Sequence, residues 1–241
     1  MPDICIFRRV EKKYLITGSQ RRALTDRIEA YLQPDEYGRS TVCSLYLDTP
    51  DFRLIRDSVE AVNYKEKLRV RSYGTPGPDS RVFLELKKKL DGVVYTRRVA
   101  VTERQAEAYV RSGIKPFDSQ IFRELDYAMR FYGGPRPAAM ISCEREAFTV
   151  PSEPGLRLTF DADVRYRAER LALTAGSAGK ALLPADTFIL EIKTGGAMPL
   201  WLARALDESS IRPASFSKYG AAYRDMQQGR TFQNTEVKRY A

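Results

Sequence analysis

The sequence predicts an α+β protein, with seven or eight mostly antiparallel strands and helices set between them. Three observations predict it. Apolar and charged residues alternate with a period of two through a series of runs, which is the strand period. Turn signals such as Asp91-Gly92 and Gly74-Thr75-Pro76-Gly77-Pro78 join consecutive runs closely enough to fold them back on each other. Between other runs lie amphipathic segments opened by cap residues, as in Thr102-Glu103-Arg104-Gln105.

Taken in order, residues 4–16 read as a first strand with Arg9, Glu11 and Lys13 on one face. Thr17-Gly18-Ser19 opens a helix to about Leu32, with Leu24, Ile28, Tyr31 and Leu32 at helical spacing. Residues 41–47 form a strand. Thr49-Pro50 is a cap followed by proline, which starts a short helix with Phe52 and Ile55 inward. Two basic strands follow at 65–71 and 83–89, and a hairpin at Asp91-Gly92 leads into a strand over 93–101. The capping box at Thr102 starts a helix to about Arg111. Asp118 caps another that ends at Gly133-Gly134. Strands at 138–150, 156–166 and 187–194 come next, with a small-residue loop at 175–180. The strand at 156–166 puts Arg157, Thr159, Asp161 and Asp163 on one face. Pro199 starts an amphipathic helix, and Ser215-Phe216-Ser217-Lys218-Tyr219 opens the last one.

The chain has 241 residues, 43% hydrophobic and 29% charged. That is enough to bury a core and argues against disorder. No repeat or linker divides it, so residues 1–226 are expected as one domain and 227–241 as a loose polar tail. Basic residues number 40 against 31 acidic, a formal charge of +9. Such an excess suits nucleic acid, phosphorylated metabolites, polyphosphate or an anionic membrane, and equally a basic protein with no polyanionic ligand. Cys5, Cys43 and Cys143 are odd in number and widely spaced. They read as small buried hydrophobes in a reducing compartment, and no zinc site is expected. The N-terminus has no apolar core segment and no run is long enough to span a bilayer, so neither a signal peptide nor a membrane span is expected.

The chain contains no histidine. Triads with a histidine base and histidine-ligated metals are therefore excluded. A metal would be held by carboxylates, carbonyls, water or substrate oxygens, which suits hard cations.

The charge-rich strand faces carry the functional signal. One face of 65–71 presents Lys65, Lys67, Arg69 and Arg71. One face of 83–89 presents Phe83, Glu85, Lys87 and Lys89. A flat sheet would show these faces to water, and a closed barrel would show them to its lumen. Like charges on neighbouring strands repel, so repeating the pattern on most strands calls for carboxylates or an anionic ligand as compensation.

At the level of motifs the chain resembles the VTC domain, the polyphosphate polymerase module of the triphosphate tunnel superfamily. The stretches that carry the resemblance are Glu11-Lys12-Lys13-Tyr14, Ser44-Leu45-Tyr46-Leu47-Asp48-Thr49, Lys67-Leu68-Arg69-Val70-Arg71 and Leu84-Glu85-Leu86-Lys87. Further on come Cys143-Glu144-Arg145-Glu146-Ala147-Phe148, Arg157-Leu158-Thr159-Phe160-Asp161, Leu190-Glu191-Ile192-Lys193 and Ser217-Lys218-Tyr219. Their order and spacing are specific, although no single piece is.

The resemblance implies a closed antiparallel barrel of eight strands with flanking helices and a basic lumen that grips phosphates. By position, Lys13, Arg69, Arg71, Lys87, Arg145, Arg157 and Lys218 match phosphate-contacting residues, and Glu191 matches the metal-binding glutamate, for Mn²⁺ or Mg²⁺. Either Arg97 or Arg98 adds a contact, and Ser217 lies beside Lys218. The implied activity is transfer of the ATP γ-phosphate to a growing polyphosphate chain. The alternatives are a metal-dependent triphosphate or nucleoside triphosphate hydrolase on the same fold, and a polyphosphate-binding module without turnover. The hydrolytic branch carries Glu-x-Glu-x-Lys on its first strand. Here those positions read Arg9, Glu11 and Lys13, which weakens a two-metal hydrolytic site. The expected setting is cytoplasmic, at the inner face of a membrane only through a protein partner. Nucleic acid is not an expected ligand, since the basic residues interleave with carboxylates and lack a stacking platform.

The remaining candidates read as structure. Tyr46 and Asp48 form a corner, Cys143 and Trp201 pack, Glu85 balances lysines, Arg9 pairs with Glu11, and Lys88 and the outward one of Arg97 and Arg98 are solvated. Asp161 and Asp163 suit either a metal or salt bridges to Arg157 or Arg165.

Overall fold

Each period-two run folds as a strand and each capped segment as a helix. The computed structural model describes residues 10–60, 63–91 and 93–237. The strands are β1 (Val10–Thr17), β2 (Gln33–Asp48), β3 (Tyr64–Tyr73), β4 (Arg81–Leu90), β5 (Val93–Thr102), β6 (Arg136–Thr149), β7 (Arg157–Arg167), β8 (Lys180–Ala181) and β9 (Thr187–Thr194). The helices are α1 (Gly18–Ile28), α2 (Arg53–Val59), α3 (Glu103–Ser112), α4 (Gln120–Phe131), α5 (Leu200–Glu208) and α6 (Lys218–Val237). The expected start of the first strand before Val10, Gly92 and Cys5 lie outside the described residues.

The strands form one sheet in the order β1-β9-β7-β6-β2-β3-β4-β5, with the two-residue β8 beside β7. Every pairing is antiparallel. Among the described residues the expected closed barrel is not formed, because the edge strands β1 and β5 share no backbone ladder. The sheet is nevertheless rolled. Glu11 on β1 and Lys87 on β4, near opposite ends of the strand order, meet at 3.3 Å. Long charged side chains bridge the rolled sheet where hydrogen-bonded strands would close a barrel.

Three apolar clusters hold this shape. On the convex side, Leu45, Leu68, Val70, Leu84 and Leu86 pack against Ala106 and Tyr109 of α3 and Phe122 and Leu125 of α4. Further round, Tyr14, Ile16, Leu158, Phe160, Leu190 and Ile192 pack against Leu24 and Ile28 of α1 and Leu202 of α5. Trp201 joins this cluster and stacks on Tyr31 at 4.3 Å. On the concave side, Val42, Tyr46, Ile141, Cys143, Val164 and Ile189 take Ile55 of α2 and Tyr219 and Ala222 of α6. Cys43 and Cys143 are buried, as expected.

Local chemistry moves several boundaries. The short helix starts at Arg53, after Phe52 in the left-handed region at φ 59°. Its free N–H groups are met from behind: the Asp48 carboxylate accepts from Leu54 and Ile55, and Thr49 Oγ1 accepts from Arg53. Asp48 is thus the corner expected of it. Ser119 caps α4 in place of Asp118, which instead pairs with Arg123. The expected capping box forms at Thr102–Gln105, and Thr17–Gln20 makes a second. The last helix continues to Val237, beyond the point where the sequence suggests a tail. A register shift between β6 and β7 falls beside Ser142 and Glu144, close to Asp163 at φ 45°. The side chain of Asp163 leaves the face of Asp161 and pairs with Arg165 at 2.8 Å.

Candidate functional site

The concave face collects the charged residues that the strand period put on one side. β1 supplies Glu11 and Lys13, β3 supplies Lys67, Arg69 and Arg71, and β4 supplies Glu85 and Lys87. Arg98 comes from β5, Arg145 from β6, Arg157, Thr159 and Asp161 from β7, and Glu191 and Lys193 from β9. The segment ahead of α6 crosses one side of the tunnel. It is tied down by the Ala214 N–H to the Lys13 carbonyl at 2.8 Å. This brings Ser217 and Lys218 onto the same face.

Three groups of carboxylates hold most of these cations. Glu85, 1% exposed, takes Arg69 Nε at 2.5 Å and Arg98 Nε at 2.7 Å. Burial works against its charge, but Arg69, Arg71 and Arg98 hold it far below the usual carboxylate range. Glu85 therefore balances arginines, not the lysines expected of it. Asp161 is fully buried and chelates Arg145 through Nε at 2.6 Å and Nη2 at 2.7 Å, while Lys218 contacts its second oxygen. Burial again opposes ionisation, and Lys218 and Arg145 overcome it. The third group is Glu11 and Glu191, which converge on the Lys13 ammonium at 3.3 and 3.2 Å. Lys87 pairs with the other oxygen of Glu11 and Lys193 with the other oxygen of Glu191, both at 3.3 Å.

Strand parity assigns the two adjacent arginines of β5. Arg98 points inward to Glu85 and lies over the Phe83 ring at 4.6 Å. Arg97 points outward and pairs with Glu124 of α4 at 2.8 Å. It is not a lumen residue, and it is ion-paired where solvation was expected. Lys88 likewise pairs with Glu66 at 3.3 Å. Arg157 is reached by Asp35, an acid on the unexpectedly long β2 that no sequence signal marked. Asp161 pairs with Arg145 and Lys218, so the expected bridge to Arg157 is not made. Arg9 lies outside the described residues, and Glu11 pairs with Lys13 and Lys87.

Tyr46 is more than a corner. Its ring stacks on Tyr219 at 4.5 Å, and its hydroxyl receives Arg69 Nη1 at 3.3 Å. Burial pushes the phenol up, but Arg69, Lys67 and Arg71 together outweigh this and bring it down to about 8.

At the Glu191 corner the donor type is the one a hard cation takes. The donors are carboxylates, and the Lys13 ammonium already occupies the space between two of them. Among the described residues no three acids, cysteines or histidines converge, so phosphate oxygens and water would complete such a shell. A separate cavity of about 530 Å³ lies on the convex side, lined by Leu45, Val70, Ala106, Val110 and Leu173. It shares no residue with the charged face.

A family model for the VTC domain matches residues 8–227, and the chain belongs to that family. No curated protein matches the chain. Among solved structures, a candidate adenylate cyclase of Bacillus halodurans is similar, at 15% identity and TM-score 0.55, with 88% of this chain and 94% of that one covered. A candidate adenylyl cyclase of Hippeastrum, described as having a dominant triphosphatase activity, is similar at 16% identity and TM-score 0.50, with 90% and 94% covered. At these identities the likeness is one of fold.

Proposed function

We propose that the protein is a polyphosphate polymerase that transfers the ATP γ-phosphate to a growing phosphate chain in the tunnel. The observation that carries this reading is the concentration of lysine and arginine from seven strands and the start of α6 on one concave face, in excess of the carboxylates among them. Membership of the VTC domain family supports it.

Phosphoryl transfer depends on positioning and charge stabilisation more than on a covalent nucleophile. Arg69, Arg71, Arg145 and Arg157 would hold phosphate oxygens through planar paired contacts, and Lys13, Lys87 and Lys218 would act as compact charges. Arg98 and Ser217 would add further contacts. An anionic terminal oxygen of the chain attacks the γ-phosphorus in line, the bond from that phosphorus to the β,γ-bridging oxygen breaks, and ADP leaves. The attacking oxygen carries no proton, so no base is required and the absence of histidine is no handicap. Glu191, with Glu11 beside it, would hold Mn²⁺ or Mg²⁺, which when bound neutralises phosphate charge. The cost of gathering these cations is lowered by Glu85, Asp161 and Glu191, which phosphate oxygens would partly replace.

The test is incubation with ATP and Mn²⁺, with products run on a polyphosphate-staining gel beside a free-phosphate assay. A ladder with ADP and little free phosphate is expected. Free phosphate without a ladder would move the protein to the hydrolases, and binding without turnover would make it a polyphosphate-binding module.

A further inference from the structure

On the strand β3, Lys67 and Arg71 differ from the cations around them. Arg69, between them, pairs with Glu85, and Lys13, Lys87, Arg145, Lys193 and Lys218 each hold a carboxylate. Among the described residues, Lys67 and Arg71 ion-pair with none. Each instead meets a hydroxyl: Lys67 Nζ lies 3.0 Å from Ser217 Oγ, and Arg71 Nε lies 3.3 Å from Ser44 Oγ. A part-buried cation without a counter-ion is costly, and a hydroxyl does not neutralise it. Lys67 bears that cost twice, through burial and through the repulsion of Lys13, Lys87 and Arg69, which together bring its pKa down to about 8 against the attraction of Tyr46. Its ammonium has three donors and uses one on Ser217. The others are available to an anion.

We propose that Lys67 is an anion-binding residue of the tunnel and forms, with the Ser217 hydroxyl, a phosphate station separate from the one at Arg71. The inference rests on the reading of the tunnel as a phosphate site and adds a residue to which the motif resemblance gives no phosphate contact. The two stations stand four residues apart on one strand, about 13 Å along the backbone. Arg69 lies midway with its charge already balanced. An extended chain of phosphates reaches both stations, whereas a single orthophosphate reaches one.

The test uses tripolyphosphate and orthophosphate as probes in metal-free buffer, with affinity read by titration calorimetry, so that turnover plays no part. Wild type, Lys67→Met, Lys67→Arg and the exposed-site control Lys12→Met are compared, with thermal melting to verify folding. Lys67→Gln substitutes if the methionine variant does not fold. The expected result is tripolyphosphate binding by wild type, about tenfold or greater weakening in Lys67→Met, recovery of most of it in Lys67→Arg, and no change in Lys12→Met. Equal binding by wild type and Lys67→Met would overturn the role of Lys67 and leave the tunnel reading standing. No tripolyphosphate binding by wild type would overturn both.

Discussion

Glu11 and Lys87 meet at 3.3 Å although their strands stand near opposite ends of the sheet order. The pair reports the rolling of the sheet better than any ladder does, because among the described residues β1 and β5 share no ladder. Its side chains are 15% and 29% exposed, so water screens part of the attraction. A double-mutant cycle of Glu11→Gln and Lys87→Met, followed by urea unfolding, should give a coupling of about 0.5–1 kcal/mol. A coupling of zero would mean that this pair does not help to hold the rolled shape.

Asp161 holds two cations at full burial, and it should be the most sensitive acid in the tunnel. In Asp161→Asn, Arg145 and Lys218 keep their charges and lose their counter-ion. The expected loss is roughly 3–5 kcal/mol of unfolding free energy, the usual cost of breaking a buried pair from one side. If the tunnel binds phosphate, tripolyphosphate should return much of that loss by supplying an external anion. Melting curves with and without the ligand read both effects. A variant as stable as wild type would remove Asp161 from its place as the internal counter-ion.

The alternation of side chains made most of this site legible. Residues 65–71 and 83–89 read as strands with cationic faces, and the structure pairs them as β3 and β4 in register, with Arg69 opposite Glu85. Closure was not legible, because a ladder between the first and last strands leaves no local signature. The partners of the cations were only half legible. Glu85 sits two residues before Lys87 and invites pairing with lysine, but the cross-strand neighbours decide, and both are arginines. Asp35 was missed because its strand begins well before the apolar run that marks β2. Asp163 was misplaced because a register shift breaks strict alternation.

Lys67 gives a pH signature. Its pKa in the fold is near 8, below the 10.5 of the free side chain. Between those values the unfolded chain keeps a proton that the folded chain has released, so the Lys67 contribution to stability rises with pH. Below pH 8 both states are protonated and the contribution is flat and unfavourable. Tyr46, lowered from 10 to about 8, acts in the same direction, so the difference between proteins is the useful quantity. From pH 8 to 10 wild type should gain stability relative to Lys67→Met in chemical denaturation. A constant difference across that range would contradict the depressed pKa.

Glu191 is held ionised despite burial, because Lys193, Lys13, Arg145 and Lys218 together outweigh the loss of solvent. Replacing it with glutamine removes the anion on which Lys13 and Lys193 close. Metal-dependent turnover of ATP should fall by two orders of magnitude or more, about the loss seen when one electrostatic group of a transition state is removed. Metal-free tripolyphosphate binding should be retained or become tighter, since freed ammonium groups attract phosphate. Full activity in Glu191→Gln would end its assignment as the metal-holding residue.

Arg97 and Arg98 separate lumen from surface within a single dipeptide. Arg98 faces Glu85 and Phe83, and its side chain is 41% exposed, which leaves it within reach of a ligand. Arg97 faces away and anchors Glu124 of α4 to β5. Arg98→Ala should weaken tripolyphosphate binding severalfold with a small change in stability, because Glu85 keeps Arg69. Arg97→Ala should leave binding unchanged and cost on the order of 0.5–1 kcal/mol, as expected of a part-exposed pair. Both quantities come from the same samples by calorimetry and urea unfolding. The parity of β5 predicts that the two effects separate cleanly; a binding loss in Arg97→Ala as large as that in Arg98→Ala would mean that the lining of the tunnel is not set by strand alternation at this edge.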